Sequence, residues 1–139
     1  MTSSVASEPK HDAGGKVRLR LRKNVIGEAV LSPCERYRPL LTRDWSDGQP
    51  TETILWIGMN PSTALENIDD PTVFKEQKFS DKWGFRKYVK CNVMDYRSTD
   101  QSALVRSDIE PCSDVNLATI IQAAKTAGRV MLAHGSLKP

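Results

Sequence analysis

The sequence predicts an α/β protein, a three-layer α/β/α sandwich whose short parallel core sheet is preceded by an antiparallel N-terminal segment. Three observations carry that prediction. Residues 54–57 (Ile-Leu-Trp-Ile) are a short apolar run bounded by turn formers, as suits a strand covered on both faces, and residues 88–93 and 129–133 read as the next two core strands. Between them lie two stretches with helical caps and spacing, and strand, helix, strand, helix, strand is the order that builds a parallel sheet. Ahead of them residues 17–22 alternate arginine with Val17, Leu19 and Leu21, the period of a strand with two unlike faces.

In chain order, residues 1–15 hold Ser, Ala, Gly and charge with a single Val, too little apolar surface to offset the entropy of ordering. A disordered tail is expected there, with residues 16–139 forming one α/β domain. The arginines at 18, 20 and 22 present a basic strand face suited to phosphate; the competing account is a solvated edge strand whose charge discourages aggregation. Antiparallel structure should continue through residues 25–31 and 36–41, although Pro39 marks the latter as an edge or non-strand. Residues 44–50 collect Asp, Ser, Gly and Pro and read as a surface loop. Asp70 as N-cap, Pro71 at the first helical position and Gly84 as the stop define a helix on which Phe79 and Trp83 share a face. Asp114 is placed to cap a second helix through Leu117, Ile121 and Ala124 to a stop at Gly128.

Composition excludes several classes. No apolar run approaches the roughly 20 residues that span a bilayer, so no membrane partner is expected. The leading segment lacks a secretory core, and Glu8 and Asp12 argue against a transit peptide, which leaves a cytoplasmic protein as the expectation. Cys34, Cys91 and Cys112 are odd in number and widely spaced, and the histidines are His11 and His134. Neither a disulfide framework nor a zinc site follows, and no metal or cofactor is expected. Asp69 and Asp70 are adjacent acids, but Asp70 is already occupied as a helix cap.

The chemistry concentrates where the run at 54–57 breaks into Gly58-Met59-Asn60-Pro61-Ser62-Thr63-Ala64. In open α/β sheets, ligands bind at such strand ends. Asn60 follows one core strand and Asn92 ends the next, so right-handed crossovers bring both carboxamides to the same sheet edge. An amide offers a donor and an acceptor, which pairs with a planar base edge or holds a water. The plainer account is that Asn60 initiates a turn and Asn92 closes a strand. Ser62 and Thr63 suit phosphate where a helix begins, yet the lysine and glycine spacing of a nucleotide-binding P-loop is missing, which argues against a kinase or ATPase. Past the second strand, Arg97 is a candidate phosphate clamp and Tyr96 a candidate stacking platform, against ordinary surface pairing.

The series Leu31-Ser32-Pro33-Cys34, Tyr37-Arg38, Arg43-Asp44-Trp45, Gly58 to Ala64, Asp69-Asp70-Pro71-Thr72-Val73, Trp83-Gly84 and Asn92 with Tyr96 to Asp100 resembles a bacterial and phage family, domain of unknown function 1643. Gly58-Met59-Asn60-Pro61 also resembles the first active-site motif of the uracil-DNA glycosylase superfamily, whose single-strand-selective and mismatch-specific branches use Gly-x-Asn-Pro. That resemblance implies that Asn60 orients an attacking water, that the Met59 backbone approaches the base, and that Asn92 reads its edge. Pro61 and Ser62 belong to the same binding turn. Glycosidic cleavage develops oxocarbenium character before water attacks, so an amide that positions water suffices without a strong base.

The superfamily carries a His-Pro-Ser type loop after its final core strand. His134-Gly135-Ser136 keeps the histidine and serine spacing but lacks the proline, so His134 stands as the second catalytic candidate or as a strand-end residue in a shortened chain. A shortened sheet leaves an edge near residues 130–133, which predicts a homodimer or a partner strand. The expectation is therefore a nucleobase or nucleic-acid-binding protein, with nucleic acid or nucleotide as partner, that hydrolyses an N-glycosidic bond. The alternative is a noncatalytic nucleic-acid or protein-binding module, phage-derived, that keeps the pocket without the final loop.

Overall fold

The computed structural model describes residue 14 and residues 17–135, so the expected tail, apart from Gly14, and the Ser136 position lie outside the described residues. The elements are β1 (Leu19–Arg20), β2 (Ile26–Val30), β3 (Leu40–Asp44), β4 (Thr53–Gly58), β5 (Ile68–Asp69), α1 (Pro71–Lys82), β6 (Lys87–Asn92), a 3-10 turn (Gln101–Val105), α2 (Asn116–Thr126) and β7 (Arg129–Leu132). Five strands form one mixed sheet in the order β2-β3-β6-β4-β7, and β1 pairs antiparallel with β5 in a separate ribbon. The expected α/β class holds in this broad sense.

β4 is the apolar run read from the sequence, and its neighbours explain its composition. It pairs in parallel with β6 on one side and β7 on the other, placing Gly58 beside Asn92 and Ile57 beside Leu132. Ile54, Leu55 and Trp56 are buried as a result. The antiparallel segment is β2 with β3, and β3 continues antiparallel onto β6. The reading of Pro39 as the mark of an edge or non-strand is corrected. β3 begins at Leu40, just past the proline, and lies between two neighbours, so the missing proline N–H falls outside the ladder. The alternating segment at 17–22 contributes only Leu19–Arg20, paired with Ile68–Asp69 rather than with β2.

α1 follows its local signals. The Asp70 carboxylate accepts from Val73 N at 2.8 Å, Pro71 opens the helix, and Gly84 at φ 92° turns the chain out of it. For α2 the expected Asp114 cap is corrected: Val115 holds the N-cap position without a side-chain bond. Asn116 anchors that end instead, its Nδ2 donating to the carbonyls of Asn92 at 3.0 Å and Val93 at 3.1 Å. Leu117, 69% exposed, and Ile121 point away from the core, so α2 has helical apolar spacing without burying that stripe.

The apolar core lies around α1 and β4, with Leu41, Ile54, Trp56, Ala64, Val73, Phe85 and Tyr88 in one cluster. Each large side chain there contributes roughly 1.5–3 kcal/mol by burial. Charge is buried beside it. Arg43 Nε meets Asp69 Oδ1 at 2.9 Å, both side chains fully buried, and Arg43 also donates to the carbonyls of Thr42, Leu65 and Ile68. Gln77 of α1 donates to the other Asp69 oxygen at 2.9 Å, tying the helix to β3 through β5. With every partner in place these charges are compensated; removal of one strands the other.

Candidate functional site

The carboxyl ends of β4, β6 and β7 lie at one sheet edge, where the strand order reverses: the chain passes from β4 to β6 on one side, then crosses to β7 on the other. Such a switch point opens a crevice in α/β sheets. Here it is a cleft of about 200 Å³ bordered by Gly58 to Ser62 after β4, Lys90 and Asn92 of β6, and Ala133 and His134 after β7. Arg38, Asp70, Thr72 and Gln101 complete its walls. At roughly 30 Å³ per water, that is the liquid volume of about seven waters, room for one planar heterocycle.

Backbone bonds fix the walls. Val93 N donates to Gly58 O at 2.8 Å, Met94 N to Met59 O at 2.9 Å, and Ser98 N to Pro61 O at 2.8 Å, so the segment after β6 is fastened along the turn after β4. Ala133 N donates to Ile57 O at 2.8 Å and fixes the third wall. Glycine at 58 leaves room for the floor of the cleft, because a Cβ there would sit 2.7 Å from Lys90 Nζ and 2.8 Å from Asn92 Oδ1 and would push those side chains aside.

The Asn60 amide nitrogen donates to Ser98 O at 2.6 Å and to Pro61 O at 3.2 Å. Both partners are carbonyls, which settles the orientation of the amide and leaves its oxygen as the end offered to a ligand. Asn92 is the opposite case. Its side chain is fully buried, and neither its Nδ2 nor its Oδ1 has a hydrogen-bond partner among the described residues. A buried amide left unbonded costs about 1–3 kcal/mol per group, so such a group in a native fold calls for an explanation.

Beside Asn92 on the same face of β6, Lys90 is paired with both oxygens of Glu76 at 2.8 Å, and Tyr88 donates its hydroxyl to Glu76 at 2.7 Å. All three side chains are buried. Burial, the Glu76 charge and the bond to Glu76 push the Tyr88 phenol well above its ordinary value. Arg38 Nη1 donates to Ala64 O at 2.7 Å, and its Nε has no hydrogen-bond partner among the described residues. Burial lowers that guanidinium to about 10, against the opposing pull of Asp70. On the rim, His134 Nδ1 lies 2.7 Å from Gly135 O. A carbonyl only accepts, so Nδ1 is the donor in that contact and Nε2 is the ring nitrogen left facing away from it.

The cleft thus brings together Gly58, Met59, Asn60, Pro61, Ser62, Asn92 and His134 from the candidates read in the sequence. Tyr96 and Arg97 do not border it. Tyr96 packs edge-on to Tyr37 at 5.6 Å, and Arg97, 3% exposed, donates from Nη1 to Glu35 O at 2.9 Å. Arg18 and Arg20 are exposed beside β5, whereas Arg22 turns inward, its guanidinium 4.4 Å from the Trp45 ring and 3.5 Å from Gln77 Oε1. Burial lowers the Arg22 pKa. Sequence reasoning missed Lys90, Glu76, Tyr88 and Arg38. Lys90 had a signal, since a lysine two residues before Asn92 in a buried strand shares its face. Glu76 had none, because only the packing of α1 brings it to Lys90.

Cys34, Cys91 and Cys112 are free thiols, and burial pushes Cys91 up to about 11. Among the described residues no group of three or more His, Cys, Asp or Glu is arranged to hold a metal, and no helix is long and apolar enough to cross a membrane.

Fold and site define an α/β protein with a small polar cleft at the reversal of its strand order. A family model described as "Protein of unknown function (DUF1643)" matches residues 36–139, and the chain belongs to that family. No curated protein and no solved structure matches it.

Proposed function

We propose that the cleft binds one nucleobase, read by Asn92, and hydrolyses the N-glycosidic bond that joins it to its sugar. The observation that carries this reading is the Asn92 side chain, fully buried at the cleft with donor and acceptor both unpartnered among the described residues. A donor next to an acceptor in one plane complements the edge of a base. The Asn60 oxygen holds the attacking water. That water's oxygen bonds to the anomeric carbon, the glycosidic electron pair leaves with the base nitrogen, and the released proton passes to His134 Nε2. The glycosylase motif resemblance of Gly58 to Pro61 supports the same assignment of Asn60.

The reading takes the chain as a three-layer α/β/α protein, with α1 and α2 on opposite faces because right-handed crossovers running in opposite directions place them so. Free thiols suit a reducing, cytoplasmic setting. β7 ends the sheet with its outer side unpaired among the described strands, and a second copy is the partner proposed there.

The test is base release from single- and double-stranded DNA carrying uracil or another modified base, with the Asn60→Ala variant alongside. Release that vanishes in the variant supports hydrolysis. A second reading, binding without chemistry, is favoured by the bond that ties His134 Nδ1 to the adjacent Gly135 carbonyl rather than to a carboxylate. Retained binding with no release from any substrate decides for it.

A further inference from the structure

We infer that the substrate of this cleft is a base within a single-stranded nucleic acid, and that the strand runs along the exposed face of α1. The inference rests on the nucleobase reading of the cleft and names what the base is attached to.

Three depressions follow one another along α1. Thr72 borders both the cleft and a shallow hollow of about 290 Å³, and Pro71, Lys75 and Phe79 border both that hollow and a groove of about 490 Å³. The groove is lined by Leu19 of β1 and by Phe74, Phe79, Lys75, Lys78 and Lys82 of α1, with no acidic residue. From Thr72 to Lys82 the helix advances about 15 Å at 1.5 Å per residue, a length for a few nucleotides rather than one.

The chemistry of this face is that of a single-strand track. Lys75, Lys78 and Lys82 are all exposed and recur at helical spacing on one side. Arg20 is exposed next to Leu19. The acids near them are already compensated: Glu76 by Lys90 and Tyr88, Asp81 by Arg86 and the Trp45 indole. The aromatic surface is uncovered, with Phe79 45% and Trp83 41% exposed. Their rings stack 5.8 Å apart, and Trp83 stacks in turn on Trp56, interplanar angle 7°. Every base has a π-face, so exposed rings among cations bind a strand without regard to sequence and deliver it to a specific site. A duplex keeps its bases stacked on one another and has no use for these rings. An anionic membrane would meet the same lysines but would not explain a groove leading into a polar cleft.

The experiment is fluorescence anisotropy of a labelled single-stranded oligothymidylate with the purified full chain across a salt series. The parent is compared with Lys75→Gln/Lys78→Gln/Lys82→Gln and with Phe79→Ala, each checked for folding by circular dichroism. In parallel the parent is titrated with free thymidine, and with vesicles containing phosphatidylserine. The expected result is binding whose log K falls with log salt. The triple variant should flatten that slope by about 2, at roughly 0.7 for each phosphate of a single strand that is no longer neutralised. Phe79→Ala should weaken binding about fivefold or more, with the slope unchanged. Thymidine binding without oligothymidylate binding overturns the inference while sparing the nucleobase reading; binding of neither overturns both. Equal slopes for parent and triple variant, or binding to vesicles but not to the strand, also overturns it.

Discussion

Replacing Asn92 with leucine should make the protein more stable and less functional at once. The side chain is fully buried and both ends of its amide lack a partner among the described residues. Leucine has nearly the same shape and no group to leave unbonded. Removing a buried unsatisfied amide recovers about 1–3 kcal/mol. For a domain of this size 1 kcal/mol moves the melting temperature by about 4 °C, so Asn92→Leu should melt roughly 4–12 °C higher than the parent by scanning calorimetry without ligand. On the proposed nucleobase reading, the same change removes the donor and acceptor offered to the base and should cost about 2 kcal/mol of binding, near thirtyfold in affinity. A melting temperature lowered by several degrees would refute the reasoning. It would mean that Asn92 is satisfied in the free protein by buried water and serves the fold rather than a ligand.

Glu76→Gln should destabilise by about 3–5 kcal/mol, because it leaves the Lys90 ammonium buried without its carboxylate, and urea titration should show a midpoint about 2 M lower. Asp70→Ala removes the cap that accepts from Val73 N and should cost about 1 kcal/mol in the same assay, with α1 intact by circular dichroism. Stability should also fall as pH rises from about 9 to about 11: burial raises the Cys91 thiol to about 11, so the unfolded chain releases that proton first and is favoured across this window. Cys91→Ala should flatten that limb of the pH profile. Val130→Lys/Leu132→Lys on exposed positions of β7 should reduce self-association measured by light scattering, and a parent that stays monomeric at high concentration rules out the edge dimer.

What the sequence disclosed and what it withheld divides along local and non-local physics. The start of α1 was legible because Asp70-Pro71 carries its own cap and its own φ, and β4 because a buried strand needs an unbroken apolar run, whereas β6 carries Lys90 within it and β7 is largely exposed. Pro39 misled because its effect was extended to a strand that starts one residue later. The spacing of Leu117 and Ile121 marked a helix but not the direction of its stripe, since period reports geometry and not what lies opposite. The placement of Asn60 and Asn92 at one sheet edge was legible from strand ends alone. The inward turn of Arg22, the withdrawal of Tyr96 and Arg97 from the cleft, and the Glu76–Lys90 pair depend on contacts between residues far apart in the chain. No single window of sequence contains them.

The buried Glu76, Lys90 and Tyr88 also constrain how this protein can change over generations. Loss of either charged member alone leaves its partner stranded in the core, whereas joint replacement by apolar residues of similar volume is close to neutral. A lineage replacing this network would therefore have to cross a destabilised intermediate or acquire two substitutions together. The network acts as a ratchet, holding the polar floor beneath Asn92 in place on grounds of stability alone.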